Sequence, residues 1–243
     1  MKLAVVIPTY NEKETIQILI EKLFSEIKPI VDELHVVIID DSSPDGTANI
    51  VTDLSDKFQK ISLIQRPTKL GLGAAYKDGF NHVLEKIDSD LIVQMDADHS
   101  HNPSEIVTML QEIEGYDFVV ASRHMPNSSI VGWGVGRQMT HSFAGIIARI
   151  SARIDIKDST SGFRMFKRET LQSIEFDKIE SDGFAFQIEM LYQLKQKGFR
   201  GLEMPTMFVN RKSGKSKMGG TEIMQFIKTC FSYIGKNNEN KGM

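Results

Sequence analysis

Leu91-Ile92-Val93-Gln94-Met95-Asp96-Ala97-Asp98 is an apolar run that breaks directly into two carboxylates. A short stretch rich in branched side chains and bounded by a polar turn reads as a buried strand. The same design occurs twice upstream. Residues 3–7 are apolar and run into Pro8-Thr9-Tyr10-Asn11, and residues 34–39 run into Asp40-Asp41-Ser42. Helical spacing fills the gaps: Ile16, Ile20, Leu23 and Ile27 predict a helix over 12–27 with Asn11 as its N-cap, and Thr47, Val51, Leu54 and Phe58 predict a second. Residues 61–64 and 118–121 read as further strands and 71–86 as a helix, with Pro103 opening the next one. This alternation predicts an α/β fold with a mainly parallel central sheet and helices on both faces. In such sheets ligands bind beyond the carboxyl ends of the strands, so three polar strand ends should converge on one crevice.

The pattern loosens after residue 122. Residues 127–136 read as a Gly- and Ser-containing loop, 135–153 as a helix mixing apolar and basic side chains, and 158–164 as a polar turn. A helix over 181–197, a strand within 199–209, a basic glycine-containing loop at 210–220 and a last helix over 221–234 follow, and 235–243 is a polar tail. We read 1–234 as one domain in two parts, 1–122 and 123–234. Charge divides at the same place. The net −3 of 29 basic and 32 acidic residues hides −11 over 1–122 and +8 over 123–243. A single cysteine, Cys230, excludes an internal disulfide and a Cys-rich zinc site. No apolar run reaches the roughly 18–20 residues that span a bilayer, so the expectation is a soluble or peripheral chain.

Asp96 and Asp98 are i and i+2, and on an extended chain they point the same way. Two carboxylates at a strand end suit a hard cation such as magnesium or manganese, which takes one or two such oxygens and leaves positions for phosphates. The alternative is a solvated acidic turn. Asp40 and Asp41 point to opposite sides; one suits a base or sugar, the other a cap for the helix beginning near Gly46. Lys69-Leu70-Gly71-Leu72-Gly73 resembles a phosphate cradle but lacks the spacing of a dinucleotide or P-loop motif, and otherwise simply starts a helix. Residues 195–217 hold seven Lys/Arg and one acid, Glu203. They read as a solvated face, as a loop closing over an anionic substrate, or as a nucleic-acid contact that the acidic front half disfavours. His99 and His101 flank the acidic motif, and no Gly-x-Ser-x-Gly supports a hydrolase.

Taken in order, Val6-Ile7-Pro8-Thr9-Tyr10-Asn11-Glu12, Asp40-Asp41-Ser42-Ser43-Pro44-Asp45-Gly46-Thr47, Lys69-Leu70-Gly71-Leu72-Gly73 and Met95-Asp96-Ala97-Asp98-His99-Ser100-His101-Asn102-Pro103 resemble family 2 inverting glycosyltransferases. Ser122-Arg123, Gly132-Trp133, Ser161-Gly162-Phe163-Arg164, Gly183-Phe184-Ala185-Phe186-Gln187 and Arg211-Lys212-Ser213-Gly214-Lys215-Ser216-Lys217 sharpen the resemblance to dolichyl-phosphate mannose synthases. It covers about residues 3–234. The resemblance implies a GT-A type fold and transfer of mannose from GDP-mannose to a polyprenyl (dolichyl) phosphate with inversion. By position it implies guanosine contacts at Pro8, Tyr10, Glu12, Ile39 and Asp41, and a metal–diphosphate motif at Asp96, Ala97 and Asp98. Donor-phosphate contacts fall at Arg123, Arg211 and Lys217, and an acceptor-phosphate contact at Arg137. Asp98, Arg123, Arg211 and Lys217 would carry the catalytic charge stabilisation. Where some members have a metal-binding Gln, this chain has Ser100, so water or His101 would complete the magnesium or manganese shell.

A polyprenyl acceptor implies a membrane surface. Val135, Met139, Phe143, Ile146, Ile147, Ile150 and Ile154, interleaved with Arg137, Arg149 and Arg153, suit an interfacial helix; a core-facing helix is the alternative. The expectation is a peripheral enzyme on the cytoplasmic face, with a small membrane-embedded subunit as a candidate partner and no nucleic acid. UDP-glucose as donor, or a non-catalytic nucleotide-sugar-binding protein, are the competing functions.

Overall fold

A computed structural model describes residues 1–210, 226, 228–230, 232 and 233. The predicted final helix falls mainly, and the polar tail wholly, outside them. Strand β1 (Lys2–Thr9) is followed by α1 (Ile16–Glu26), β2 (Glu33–Asp40), α2 (Thr47–Phe58), β3 (Ile61–Gln65), α3 (Leu72–Lys86), β4 (Leu91–Gln94), α4 (Glu105–Glu112) and β5 (Phe118–Ser122). The back part adds β6 (Ser129–Val131), α5 (Val135–Ala152), β7 (Arg164–Lys167), α6 (Arg168–Gln172), α7 (Gly183–Gln196), β8 (Gly201–Pro205) and β9 (Met207–Val209).

The main sheet runs β3-β2-β1-β4-β7-β5-β8. All its pairings are parallel except those of β7, which lies antiparallel between β4 and β5. Alternate residues feed two cores. Val6 and Ile39 pack beneath Tyr76 and Phe80 of α3 and Phe186 of α7. Val5, Ile7 and Val36 pack beneath Ile16, Leu19, Ile20 and Leu23 of α1. Burial on both faces is why these strands read as continuous apolar runs.

Three local expectations change. Asn11 has φ 60° and sits in a turn; α1 begins at Ile16, after Glu12 O accepts from Ile16 N–H at 2.9 Å. The loop over 127–136 contains β6, which pairs in parallel with β9 as a two-stranded ribbon. The polar turn over 158–164 ends one residue early, because Arg164 opens β7 opposite Gln94. A four-residue strand, Arg-Met-Phe-Lys, carries too little pattern to be seen from sequence.

Candidate active site

Strands β2, β1 and β4 are neighbours, and the chain order reverses between β1 and β4. That is the switch point at which open α/β sheets form a crevice. Pro8 and Ile39 are register partners there, and Thr9 pairs with Asp40. The Ile39 side chain is fully buried in the core under α3, as Ala97 is in the opposite core, so either would meet a nucleotide through backbone only. Tyr10 stands beside Lys69, whose ammonium lies 3.8 Å from the ring centroid, a cation–π contact. Glu12 accepts from the Thr15 hydroxyl at 3.0 Å at the entrance to α1.

The carboxylate pair ending β2 is already committed. Asp40 accepts from the Thr9 hydroxyl at 2.9 Å and from the Ser43 amide at 2.9 Å. Asp41 forms a buried ion pair with Arg66, which also reaches Asp78 and the Gly71 carbonyl. Burial pulls the Arg66 guanidinium down, but Asp41 and Asp78 outweigh it and hold its pKa above the ordinary value. Neither caps α2. That task falls to Asp45, whose carboxylate accepts from Thr47 N–H at 3.0 Å.

The glycine loop is filled from within the protein. Asp182 accepts from the amides of Gly73 and Gly183, so one carboxylate serves the first turn of both α3 and α7. A Cβ on Gly71 would lie 1.9 Å from an Asp182 oxygen. One amide of the loop that looked like a phosphate cradle, that of Gly73, therefore holds an internal anion.

Beyond β4 the chain leaves the strand at Gln94, so Asp96 and Asp98 lie in an irregular loop rather than on an extended face. His99 turns this loop with φ 61°. Asp96 accepts from the Tyr76 hydroxyl at 2.9 Å, and its side chain is 35% exposed. Burial first, and then the Asp96 charge, raise the Tyr76 pKa well above the usual 10, so the hydroxyl remains a donor. Asp98 also contributes to that shift. Asp98 accepts from Ser100 N–H at 3.0 Å, while the Ser100 carbonyl accepts from Val209 N–H at 3.3 Å and ties the ribbon to the loop. His101 is buried; its Nδ1 accepts from Asp96 N–H at 3.1 Å and its ring stacks on Phe163 at 4.9 Å. Among the described residues no three His, Cys, Asp or Glu side chains form a ready-made metal cage. Two hard carboxylates fit a magnesium- or manganese-type ion that draws its remaining ligands from substrate phosphates and water.

Arg123 follows β5. It donates through Nε and Nη2 to Asp158 at 2.8 Å each, and its side chain is only 6% exposed. Asp158 is presented by Glu203 of β8, the one acid in the basic stretch, which accepts the amides of Lys157 and Asp158 at 2.9 Å. Arg123 also lies over Trp133 and Phe208, at 5.7 and 5.2 Å from the ring centroids. Arg137, in the first turn of α5, lies 4.3 Å from the Trp133 centroid and donates to Asn210 at 3.3 Å. Trp133, Phe208, His101 and Asp96 thus form a continuous line of contacts from the start of α5 to the acidic loop. Arg211 and Lys217, expected to close over a diphosphate, lie outside the described residues, as does most of the basic loop. Along α5, Val135, Met139, Phe143, Ile146, Ile147 and Ile150 are exposed while Ala148 and Ala152 are buried, so the helix packs by its small residues and turns its large apolar ones outward.

The model of the Glycosyl transferase family 2 family matches residues 4–174. The chain belongs to glycosyl transferase family 2. It is therefore a glycosyltransferase. A Micrococcus luteus protein named undecaprenyl-phosphate mannosyltransferase is 36% identical over 90% of this chain and 88% of its own length. A Mycolicibacterium smegmatis protein named polyprenol monophosphomannose synthase is 33% identical over 91% of this chain and 82% of its own. Among solved structures, glucosyl-3-phosphoglycerate synthase from Mycobacterium tuberculosis, crystallised with Mn2+, UDP-glucose and phosphoglyceric acid, is similar at a TM-score of 0.62. That match covers 96% of this chain and 80% of the other at 21% identity, which shows a shared GT-A fold. No helix among the described residues is long and apolar enough to cross a membrane.

Five residues that shape this site carry no local signal in sequence. Tyr76 and Phe80 have the spacing of a core helix face, and Asp158, Asp182 and Glu203 meet their partners 35, 109 and 45 positions away.

Proposed function

We propose that this glycosyltransferase moves mannose from GDP-mannose to a polyprenyl phosphate with inversion, giving a polyprenyl phosphate β-mannose. The observation that carries the lipid acceptor is the outward apolar face of α5, joined through Arg137 and Trp133 to the acidic loop. The names of the two relatives, an undecaprenyl-phosphate mannosyltransferase and a polyprenol monophosphomannose synthase, point the same way. Exposed apolar side chains interleaved with Arg137, Arg149 and Arg153 suit the boundary between acyl chains and anionic headgroups. The acceptor phosphate then arrives at Arg137 while its hydrocarbon stays in the membrane. A cytoplasmic-face location, with or without a small membrane subunit, belongs to the same proposal.

In this reading Asp96 and Asp98 hold the magnesium or manganese ion, with Ser100 beside them. When bound, that ion supplies charge neutralisation to the departing diphosphate. Tyr10 and Asp41 line the base end of the crevice beside Pro8, Ile39 and Glu12. Arg123 is already charge-paired with Asp158, so more of the phosphate neutralisation falls to Arg211 and Lys217. The acceptor phosphate is ionised near neutral pH and attacks the anomeric carbon from the face opposite the diphosphate. No proton has to be removed, so positioning and electrostatics account for the chemistry.

Radiolabelled GDP-mannose and UDP-glucose, each offered with a short polyprenyl phosphate and magnesium or manganese, test the assignment. Label should enter the lipid phase from GDP-mannose. Faster transfer from UDP-glucose would replace the donor, and tight donor binding with no transfer would favour a non-catalytic binder.

A further inference from the structure

We propose that Tyr76 is a positioning residue for the cation: its hydroxyl sets the orientation in which the Asp96 carboxylate meets the metal. The inference rests on the reading of Asp96 and Asp98 as the metal site, and assigns a role to a residue outside the acidic motif.

The acidic loop holds Asp96 by its backbone, through the amide that donates to His101 at 3.1 Å, while His101 Nε2 lies 4.0 Å from Asp96 Oδ2. The loop lies beyond the end of β4, bends at His99, and leaves the Asp96 side chain about one-third exposed. A carboxylate in such a loop samples several rotamers, and holding one costs side-chain entropy. Tyr76 removes that freedom from the opposite direction. It projects from the second turn of α3, is fully buried, and donates to Asp96 Oδ1 at 2.9 Å. Its ring stacks on Phe80 at 5.6 Å and on Phe186 of α7 at 6.1 Å. Helix α3 is itself seated closely on the sheet. A Cβ at Gly79 would lie 2.5 Å from Val6 Cγ1 and 2.6 Å from Ile39 Cδ1, so only glycine permits the approach. The hydroxyl is therefore placed by two helices and the sheet.

The identity of the donor matters as well. Asp41 and Asp158 are held by Arg66 and Arg123, and an arginine neutralises the carboxylate it orients. A tyrosine hydroxyl is neutral. It fixes the geometry of Asp96 without adding a positive charge of its own. Outer partners of this kind hold metal ligands in place, and their loss commonly weakens metal binding about 10–100-fold.

The test compares wild type, Tyr76→Phe, Phe80→Leu and Asp98→Ala. Mn2+ binding is read by loss of the free-ion electron paramagnetic resonance signal at saturating GDP, with UDP in parallel. Nucleotide binding without metal and thermal midpoints are measured alongside. Tyr76→Phe keeps the ring stack. It should weaken Mn2+ by about 10–100-fold, leave metal-free nucleotide binding unchanged, and regain wild-type transfer at saturating Mn2+. Phe80→Leu disturbs the same stack without touching the hydroxyl and should leave Mn2+ affinity unchanged. Unchanged Mn2+ affinity in Tyr76→Phe, with loss in Asp98→Ala, would overturn the role of Tyr76 alone. Equal weakening in Tyr76→Phe and Phe80→Leu would reduce that role to packing. Unchanged affinity in Asp98→Ala would overturn the metal site, and this inference with it.

Discussion

The strand-end crevice and helix α5 treat apolar side chains in opposite ways. Around the crevice Ile7, Ile39, Val93 and Met95 are fully buried, and the polar groups that emerge beyond them are held by Thr9, Ser43, Arg66 and Tyr76. On α5, Val135, Met139, Phe143 and Ile150 are 74%, 68%, 65% and 70% exposed. An exposed apolar stripe of this size marks an interaction surface. The first region is finished by folding. The second has its apolar surface left over, in keeping with an acceptor whose tail lies in a membrane. On the proposed function, the difference would mean that one substrate is met by prearranged polar groups and the other through a surface completed by its surroundings.

The comparison breaks first if the crevice is less prearranged than it looks. Asp158→Ala leaves Arg123 buried beside an empty partner position, and breaking such a pair costs about 3–5 kcal/mol. Urea denaturation should show a loss of that size; a change under about 1 kcal/mol would mean that Arg123 relaxes into solvent. Next, Asp98→Ala should lower transfer by about 10²–10³-fold at saturating metal, the scale for losing one charge-stabilising group. Turnover equal to wild type in the radiolabel assay would remove Asp98 from the mechanism.

A pair of glycine variants sharpens the comparison. Gly71 and Gly46 both have positive φ, at 99° and 92°, but only Gly71 faces Asp182. Gly46→Ala should cost about 1 kcal/mol from backbone strain, and Gly71→Ala about 2–3 kcal/mol through strain plus displacement of the carboxylate. Equal thermal midpoints for the two would show that Asp182 yields easily. The smallest effect on folding should come from α5. Phe143→Ser with Ile150→Ser should change stability by under about 0.5 kcal/mol per site, because neither side chain is buried. Binding to anionic vesicles should nevertheless fall at least about tenfold, since each side chain fully buried in lipid contributes about 1.5–3 kcal/mol. Intact flotation of the double variant would show that α5 faces something other than lipid.

Much of the crevice was legible because its signals are local. Each parallel strand is a buried apolar run that must end in a polar turn, so the pattern alone puts Pro8, Asp40 and Asp96 at or just beyond strand ends. What holds those residues was not legible. The partnership of Asp158 with Arg123, and of Tyr76 with Asp96, exists only once α3, β5 and β8 are packed, and Tyr76 by itself reads as a core aromatic. The acidic pair at β2 illustrates the same limit. Sequence offered a base contact or a cap, and gave no sign of the pairing of Asp41 with Arg66, 25 residues on. The strand β7 escaped because four residues carry almost no period.

That antiparallel strand has a consequence for how the chain is made. Strand β5 is buried along its whole length, and its neighbours in the sheet are β7 and β8. Both are translated later, beginning at residues 164 and 201. At about 5–20 residues per second, a ribosome completes β5 roughly two to eight seconds before β7 begins to appear. During that interval Phe118-Val119-Val120-Ala121 has no strand to pair with, and the nascent chain carries an apolar edge with open hydrogen-bonding groups. A cut after residue 122 would make the interval permanent, so neither fragment should fold alone, and the acidic and basic parts are one cooperative unit from the moment β7 slides between β4 and β5.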